Sequence, residues 1–527
     1  MIEISGSQLT ITDIKNIVDS KSQILISEKA KELVGQSCAV LDEAIKKNIQ
    51  VYGVTTNFGG LANQKVDDYE KLQHNLILGL KIGIGKKLDN AHIKLAMLIR
   101  LNSLAQGCSA IRLELLERLR TFINNNVYPF IYDQGSIGAS GDLIPLSYIA
   151  GCVTGLRSDY NVSYQGQKIS CLEALAKFNM KPIKLKVKEG LAMVNGTSVS
   201  TAIALNSYIK FKNILKLLIV SNSLFFISLK ADTESLNSFI HDRKRHPGQI
   251  KAASILRSLL KDYQHELIEE RLEKNELLQD RYSLRCIAQY LGIIYEGMDS
   301  IESSLLIESN SVTDNPIINA KSKEILHGGN FLSEHVSVMM DHMRGYIALA
   351  AKHMDIQAAL LLSPEFNKGL PASLVPPNIT NSFGLKGLQL CMNATMSQIA
   401  YYASPIATLY SSHCEQFNQN INSLSYGSAN LAWESSTLIE KYSIMSCIVA
   451  IQGVKYRYMQ EGKSSKELFK CLSKDQILVL RTFQECFGKN DDQLLIDDEH
   501  SIALDNKVQN ICENILHPMI SKFSTLI

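Results

Sequence analysis

A mainly α-helical protein is what this sequence predicts, and three observations carry the prediction. Ile111, Leu115, Leu116, Leu119 and Ile123 recur at helical spacing, with Arg112, Glu114, Glu117, Arg118 and Arg120 between them. Residues 198–230 and much of 287–360 read as long helices with wide apolar faces. The third observation is the stretch 134–155, QGSIGASGDLIPLSYIAGCVTG, where a small-residue loop runs straight into an apolar helix. Gly135, Gly138 and Gly141 free its backbone, Asp142 is a good N-cap, and Pro145 falls in the first turn, where a missing N–H costs nothing.

Composition narrows the function classes. The chain has 527 residues, 46% of them hydrophobic, which is enough to bury large cores. A net charge of +2 with 20% charged residues provides no basic surface calling for nucleic acid or an anionic membrane. The opening MIEISGSQLTITDIKN carries Glu3 and Asp13 and lacks the basic-then-apolar pattern of a signal peptide. The apolar stretch 217–229, flanked by Lys212, Lys216 and Lys230, falls short of the ~20 residues a spanning helix needs and reads as a buried core helix. The 11 cysteines are odd in number and scattered without C-x-x-C spacing, which suits reduced thiols in the cytoplasm. No cluster of metal ligands stands out in the sequence.

Along the chain, a short alternating stretch near residues 9–11 precedes a helix expected over 28–48. Residues 51–60, VYGVTTNFGG, form a Gly-rich loop with Tyr52 at its start, where a tyrosine ordinarily packs amphipathically. Helices dominate from Tyr69, and the one over 111–123 stops at the asparagines before Tyr128-Pro129. Residues 160–185 are less regular and accommodate a hairpin-like connection. The segment 189–197, EGLAMVNGT, contains an Asn-Gly pair that ordinarily reads as a turn. The charged stretch Arg243-Lys244-Arg245, within the segment 231–279, reads as a solvated loop. The expected domains are consecutive: 1–200 with the Tyr52 loop and the 139–141 tripeptide, 201–455 as a helical bundle, and 456–527 as a peripheral helical cap.

Ala139-Ser140-Gly141 can do unusual chemistry. If the amide nitrogen of Gly141 approaches the carbonyl carbon of Ala139, the three residues can cyclise, and Ser140 can lose water to become a dehydroalanine. The product is an electrophilic five-membered ring at a helix start, where the dipole favours developing negative charge. Taken alone, such a tripeptide reads as a flexible turn. It is no phosphate loop, because no GK[ST] follows and no strand pattern precedes it.

GSIGASGDLIPLSYIAG resembles the signature of the aromatic amino acid ammonia-lyases, the family of histidine, phenylalanine and tyrosine ammonia-lyases and related aminomutases. The likeness continues over nearly the full chain. It implies a long-helix central bundle of the ammonia-lyase (fumarase/aspartase-like) type with a small mixed N-terminal part. It also implies a homotetramer with shared active sites, and a 4-methylideneimidazol-5-one (MIO) group formed autocatalytically from Ala139, Ser140 and Gly141, with no metal. Residues 51–60 match Y-G-V-T-T-G-F-G, which makes Tyr52 the base, and the match extends to Gly59 as a substrate contact. In 189–197 Asn195 reaches the substrate carboxylate or the ring. The motif Q-D-x-Y-S-x-R places Gln279 and Arg285 on the substrate, Arg285 as a carboxylate clamp, and Tyr282 in proton transfer or ring formation. Asn315, Phe331 and Gln419 complete the carried-over set. Asn57, Leu332 and Phe417 depart from the family's glycine, histidine and histidine, although Asn tolerates positive φ well.

The implied reaction is addition of the substrate amine to the ring, removal of a β-proton and loss of ammonia to leave an α,β-unsaturated acid. The base must be a deprotonated Tyr52, so its pKa of about 10 has to fall by roughly 3 units, worth about 4 kcal/mol, with converging helix N-termini as the source. In the family a residue pair after the Tyr loop sorts substrates, and it aligns with Gly79-Leu80. Leu80 argues against histidine, and so does Gln398, where histidine lyases carry Glu. Gly79 leaves room for a para substituent, while His74, a turn away, packs or faces out. The leading reading is therefore an ammonia-lyase acting on L-tyrosine, L-phenylalanine or a relative. Its alternatives are a histidine ammonia-lyase, a 2,3-aminomutase and a catalytically silent scaffold.

Overall fold

A computed structural model describes residues 1–64, 66–263, 278–377, 379, 381–498 and 502–523. Part of the segment 231–279 and the end of the expected cap lie outside the described residues, whereas the charged stretch 243–245, expected as a loop, ends a helix over Ser238–Lys244. The chain begins with strand β1 (Ile2–Ile4), helix α1 (Ile11–Val18), strand β2 (Ile24–Ile26) and helix α2 (Glu28–Lys46). The alternating pattern near residue 9 is no strand: Ile11 already opens α1, whose Thr10–Asp13 capping box fixes the start, and β1 pairs with β2 in parallel instead. Next come α3 (Tyr69–Gly79), β3 (Ile84–Lys87), α4 (Asn90–Ala105), α5 (Leu113–Asn124), β4 (Tyr128–Pro129), β5 (Tyr132–Gln134) and α6 (Leu143–Thr154). The hairpin expected in 160–185 is β6 (Asn161–Tyr164) with β7 (Gln167–Ser170), and β4 adds a third antiparallel strand. Then follow α7 (Cys171–Lys177), α8 (Glu189–Val194) and α9 (Ser198–Ser228).

The remaining described helices are α10 (Ser238–Lys244), α11 (Pro247–Leu259), α12 (Tyr282–Arg285), α13 (Ile287–Ser309), α14 (Glu334–Leu362), α15 (Lys386–Tyr402) and α16 (Ser425–Gln460). After them come α17 (Ser465–Lys470), α18 (Lys474–Phe487), α19 (Leu504–Asn510) and α20 (Leu516–Ile520). One small hairpin, β8 (Ile317–Asn319) with β9 (Glu324–Leu326), interrupts the helical run after α13. Helix α9 is apolar and long enough to cross a membrane, but 83% of its most apolar window is buried inside the protein, as a core helix requires.

Contacts divide the chain into two compact units, each drawn from three stretches rather than from consecutive blocks. The first holds Met1–Ser207, Ile301–Asp341 and Pro405–Trp433. The second holds Tyr208–Ser300, His342–Ser404 and Glu434–Ile527. The physical reason is the length of α9, α13, α14 and α16: each continues from one unit into the other, so no cut in sequence order separates them.

In the first unit, Val51 and Val54 are buried with Val40, Leu41, Ala110 and Ile318. Burying ~150 Å² of apolar side chain contributes roughly 4 kcal/mol, so these two valines pin both flanks of the loop between them. Tyr52 is left half-buried at its crest.

Candidate active site

The small-residue loop 135–141 is held from several directions. Gly141 has φ +69°, and a side chain there would collide with Gly196. Asp142 donates its N–H to the Gly196 carbonyl at 2.6 Å, and the Gly138 carbonyl accepts from Ser423 Oγ at 2.9 Å. Asp142 also corrects an expectation. It precedes α6 but makes no side-chain cap there; its carboxylate accepts from the N–H groups of Val199 and Ser200, at 2.9 and 2.7 Å, and so caps α9. Full burial pushes its pKa up to about 6, while those Ser200 and Val199 bonds pull it down.

Two amides converge on the middle residue of the tripeptide. Asn195 Nδ2 donates to the Ser140 carbonyl at 2.9 Å, and Gln419 Nε2 donates to Ser140 Oγ at 3.1 Å. Asn195 is delivered by α8, a short helix buried along its whole length and anchored by side chains from elsewhere in the unit. Glu189 takes a bidentate pair from Arg112, with both N···O distances 2.6 Å. Lys188 and Asp314, neither exposed at all, pair at 2.6 Å. Arg100 donates to the Ala192 carbonyl near the C-terminal end of the helix, where a cation suits the dipole.

A cavity of about 360 Å³ opens beside the loop, within the size range of small-molecule sites. Tyr52, Ser140, Asn195, Asn315, His327, Glu415 and Asn418 provide its polar wall. Phe58, Leu76, Leu80, Leu143, Leu191 and Phe331 provide the apolar one. Thus Tyr52, Ser140, Leu80, Asn195, Asn315 and Phe331 stand around one space, with Gln419 bonded to its Ser140. Gly59 joins them through its N–H, which donates to the Tyr52 hydroxyl at 2.7 Å. Gly79 does not line the cavity: it is exposed, and a Cβ built on it meets nothing within 4 Å.

Gln279, Tyr282, Arg285 and Gln398 belong to the second unit. Gln279 and Arg285 line a separate cleft of about 280 Å³ with Asp232 and Glu234, and the Arg285 guanidinium lies 4.8 Å from the Tyr282 ring centroid. Tyr282 is 70% exposed, and Gln398 sits exposed on α15. None of the four lines the 360 Å³ cavity.

Glu415, His327 and Asn418 are wall residues that the sequence reading passed over. Backbone bonds between Cys414 and Gln419 close a tight turn in which Glu415, Gln416 and Phe417 all have positive φ, and that turn aims Glu415 at the loop glycines. A Cβ on Gly59 would collide with the Glu415 carboxylate. His327 Nε2 accepts the Tyr52 backbone N–H at 3.2 Å. The departures settle quietly. Asn57 lies outside the left-handed region and its Oδ1 accepts from Phe58 N, while Phe417 is exposed and stacks on His413.

Burial and charge both act on the Tyr52 hydroxyl. Within this chain its pKa is raised, not lowered: burial is the largest cause and the Glu415 charge adds to it, against the Gly59 N–H bond that pulls it down. Burial and the anionic neighbour together outweigh that bond.

A family model described as aromatic amino acid lyase covers residues 9–474. The chain belongs to the aromatic amino acid lyases. It is 41% identical to a phenylalanine ammonia-lyase of Nostoc punctiforme over 501 residues, covering 93% of this chain and 87% of that one. An aromatic ammonia-lyase of Loktanella atrilutea is 36% identical, covering 88% and 86%. Among solved structures, the Pantoea agglomerans phenylalanine aminomutase superposes with a TM-score of 0.89 at 25% identity, covering 98% and 99%. This lyase is accordingly a carbon–nitrogen lyase with the mainly helical fold of that family.

Proposed function

We propose that this lyase eliminates ammonia from an L-aromatic amino acid with an unsubstituted ring, L-phenylalanine in preference to L-tyrosine or L-histidine. The observation that carries the reading is the commitment of the polar groups beside the apolar wall. On α3, the helix that contributes Leu76 and Leu80, Gln73 donates to the Gly53 carbonyl and accepts from Leu191 N, both at 2.9 Å. His74 donates from Nδ1 to the Glu70 carbonyl at 2.9 Å, and its Nε2 accepts from Leu185 N at 3.2 Å. Both side chains are bonded to backbone and neither is on the cavity wall, so α3 meets a substrate ring there only with Leu76 and Leu80 and offers a phenol no partner. Burying that hydroxyl without a partner costs about 1–3 kcal/mol, a factor of roughly 5–150 in kcat/KM.

The loop fits an MIO group. Gly141 has the left-handed backbone and the close Gly196 neighbour that leave no space for a side chain, and Asn195 and Gln419 already donate to the Ser140 oxygens. When formed, the group supplies an electrophilic carbon that makes the substrate amine a better leaving group. The chain's own residues do the rest. Asn195 Nδ2 stabilises negative charge on the Ser140 carbonyl oxygen. Glu415 accepts a proton from the substrate ammonium, which frees the nitrogen lone pair and removes the carboxylate charge that raises the Tyr52 pKa. The Gly59 N–H supports the Tyr52 phenolate, which removes the β-proton. The C–H pair becomes the new double bond as the C–N pair leaves with the amine. Arg285, Gln279, Tyr282 and Gln398 enter by way of a partner copy in a homotetramer, a reading supported by their absence from the cavity wall of their own chain. Eleven cysteines without a disulfide among the described residues fit a cytoplasmic setting.

Incubation with L-phenylalanine, L-tyrosine and L-histidine tests the reading. Ultraviolet absorbance of the unsaturated acid should rank phenylalanine first, with free ammonia in equal amount. A β-amino acid product would make it an aminomutase, and equal turnover of tyrosine would defeat the ring assignment.

A further inference from the structure

Gln73 holds two parts of the site at once. It is fully buried on α3, and each end of its amide is bonded to the backbone of a different arm. Nε2–H donates to the carbonyl of Gly53, the residue next to Tyr52. Oε1 accepts from Leu191 N, in the first turn of α8, where helix N–H groups have no intrahelical partner. Asn195 caps the far end of that helix, and its own N–H returns to the Leu191 carbonyl. The two arms also touch directly, since a Cβ on Gly53 would lie 2.7 Å from Leu191 Cδ2. Gly190 packs on Gln73 so closely that a Cβ there would lie 2.7 Å from the Gln73 carbonyl oxygen.

Resting on the function proposed above, we propose that Gln73 is a positioning residue that ties the Tyr52 loop to helix α8, so that the proton acceptor and the Asn195 donor keep a fixed separation. An apolar core residue of the same volume would fill the space but strand a loop carbonyl and a helix N–H. A flexible loop alone cannot hold a base to the few tenths of an ångström that proton transfer demands, and misplacement by ~1 Å costs about 10²-fold in rate.

The test compares Q73E and Q73L with the unaltered protein on the best aromatic substrate. Where it is ionised, the carboxylate of Q73E still accepts from Leu191 but has no proton for Gly53, so above its burial-raised pKa it cuts the Tyr52 arm alone; Q73L cuts both at every pH. Each should lose about 10- to 100-fold in kcat. The KM should stay within about 3-fold, because the carboxylate and ammonium contacts are untouched. Intact mass of Q73E should still show two waters lost by cyclisation. An unchanged kcat in Q73L, or a loss carried equally by KM, overturns the inference. If the unaltered protein releases no ammonia from any aromatic amino acid, the functional reading is what fails. Hydrogen exchange on that same protein then decides the tie, and it serves equally if neither variant folds. Segments 51–58 and 189–196 should open together, and exchange about 10-fold faster in the loop would show two independent arms.

Discussion

Lys188→Met is the most informative single change, because it removes one charge from a pair that water cannot reach. Lys188 Nζ and Asp314 Oδ2 are 2.6 Å apart and neither side chain is exposed. Losing one partner of such a pair costs about 3–5 kcal/mol, most of it the penalty of the stranded charge. The fully buried Arg100 moderates the loss, since its guanidinium feels the attraction of Asp314 and, among the described residues, has Nε and Nη1 without a hydrogen-bond partner. That places the expected cost near 3 kcal/mol, or a melting shift of roughly 6–12 °C for a unit of this size. The substitution should also loosen the start of α8, and so lower kcat through Asn195. Adding Asp314→Leu should recover much of the stability, because two apolar residues in place of a buried pair are often neutral. Circular dichroism melts of K188M and K188M/D314L provide the measurement. A K188M protein that melts within 1 °C of the unaltered one would mean the pair contributes nothing, and the account of how α8 is anchored would be wrong.

Glu415→Gln should move the rising limb of the kcat/KM pH profile to lower pH. A negative charge beside Tyr52 raises its pKa, so removing the charge lowers it; a limb that stays put or moves up would contradict this. Gly141→Ala should abolish the loss of two waters in the intact mass, because its Cβ would meet Gly196 at a φ of +69°, and a fully dehydrated variant would refute the packing argument. His353 is 4% exposed, donates from Nε2 to the Ser283 carbonyl at 2.8 Å, and has its pKa pushed down to about 4 by burial. The unfolded chain takes up that proton near pH 6.5 and the folded one only near pH 4, so stability should fall by about 3 kcal/mol as pH drops through this window. Urea midpoints at pH 7 and pH 4.5 should show the loss, and H353Q should flatten it; an identical slope in the variant would assign the effect to other groups.

Much of this site could be read along the chain because its chemistry is local. The Ala139-Ser140-Gly141 tripeptide, the Tyr52 loop and the stretch ending in Asn195 each occupy fewer than about a dozen consecutive residues, and glycine at each reports a backbone demand. Helix α2 was legible from its sequence pattern, and the β6–β7 hairpin from the loss of helical regularity after residue 160. Glu415 was not. It sits within a recognisable motif, but only the reversal at Cys414–Gln419 turns its carboxylate toward Gly59, more than 300 positions earlier in the chain. The groups acting on the Tyr52 hydroxyl were not legible either, because burial and that one carboxylate are tertiary facts. Asp142 looked like the cap of its own helix, and the fold spends it on α9 instead.

By itself, then, the sequence determined the helical class, through the spacing of its apolar residues, and its family motifs singled out the tripeptide and the residues expected to serve it. Tertiary structure alone decided which of them share a cavity, where the side chains beside its apolar wall find their partners, and how burial and Glu415 act on the Tyr52 hydroxyl. Those outcomes depend on distances between atoms far apart in the chain and on the exclusion of water, and neither is set until the helices have packed.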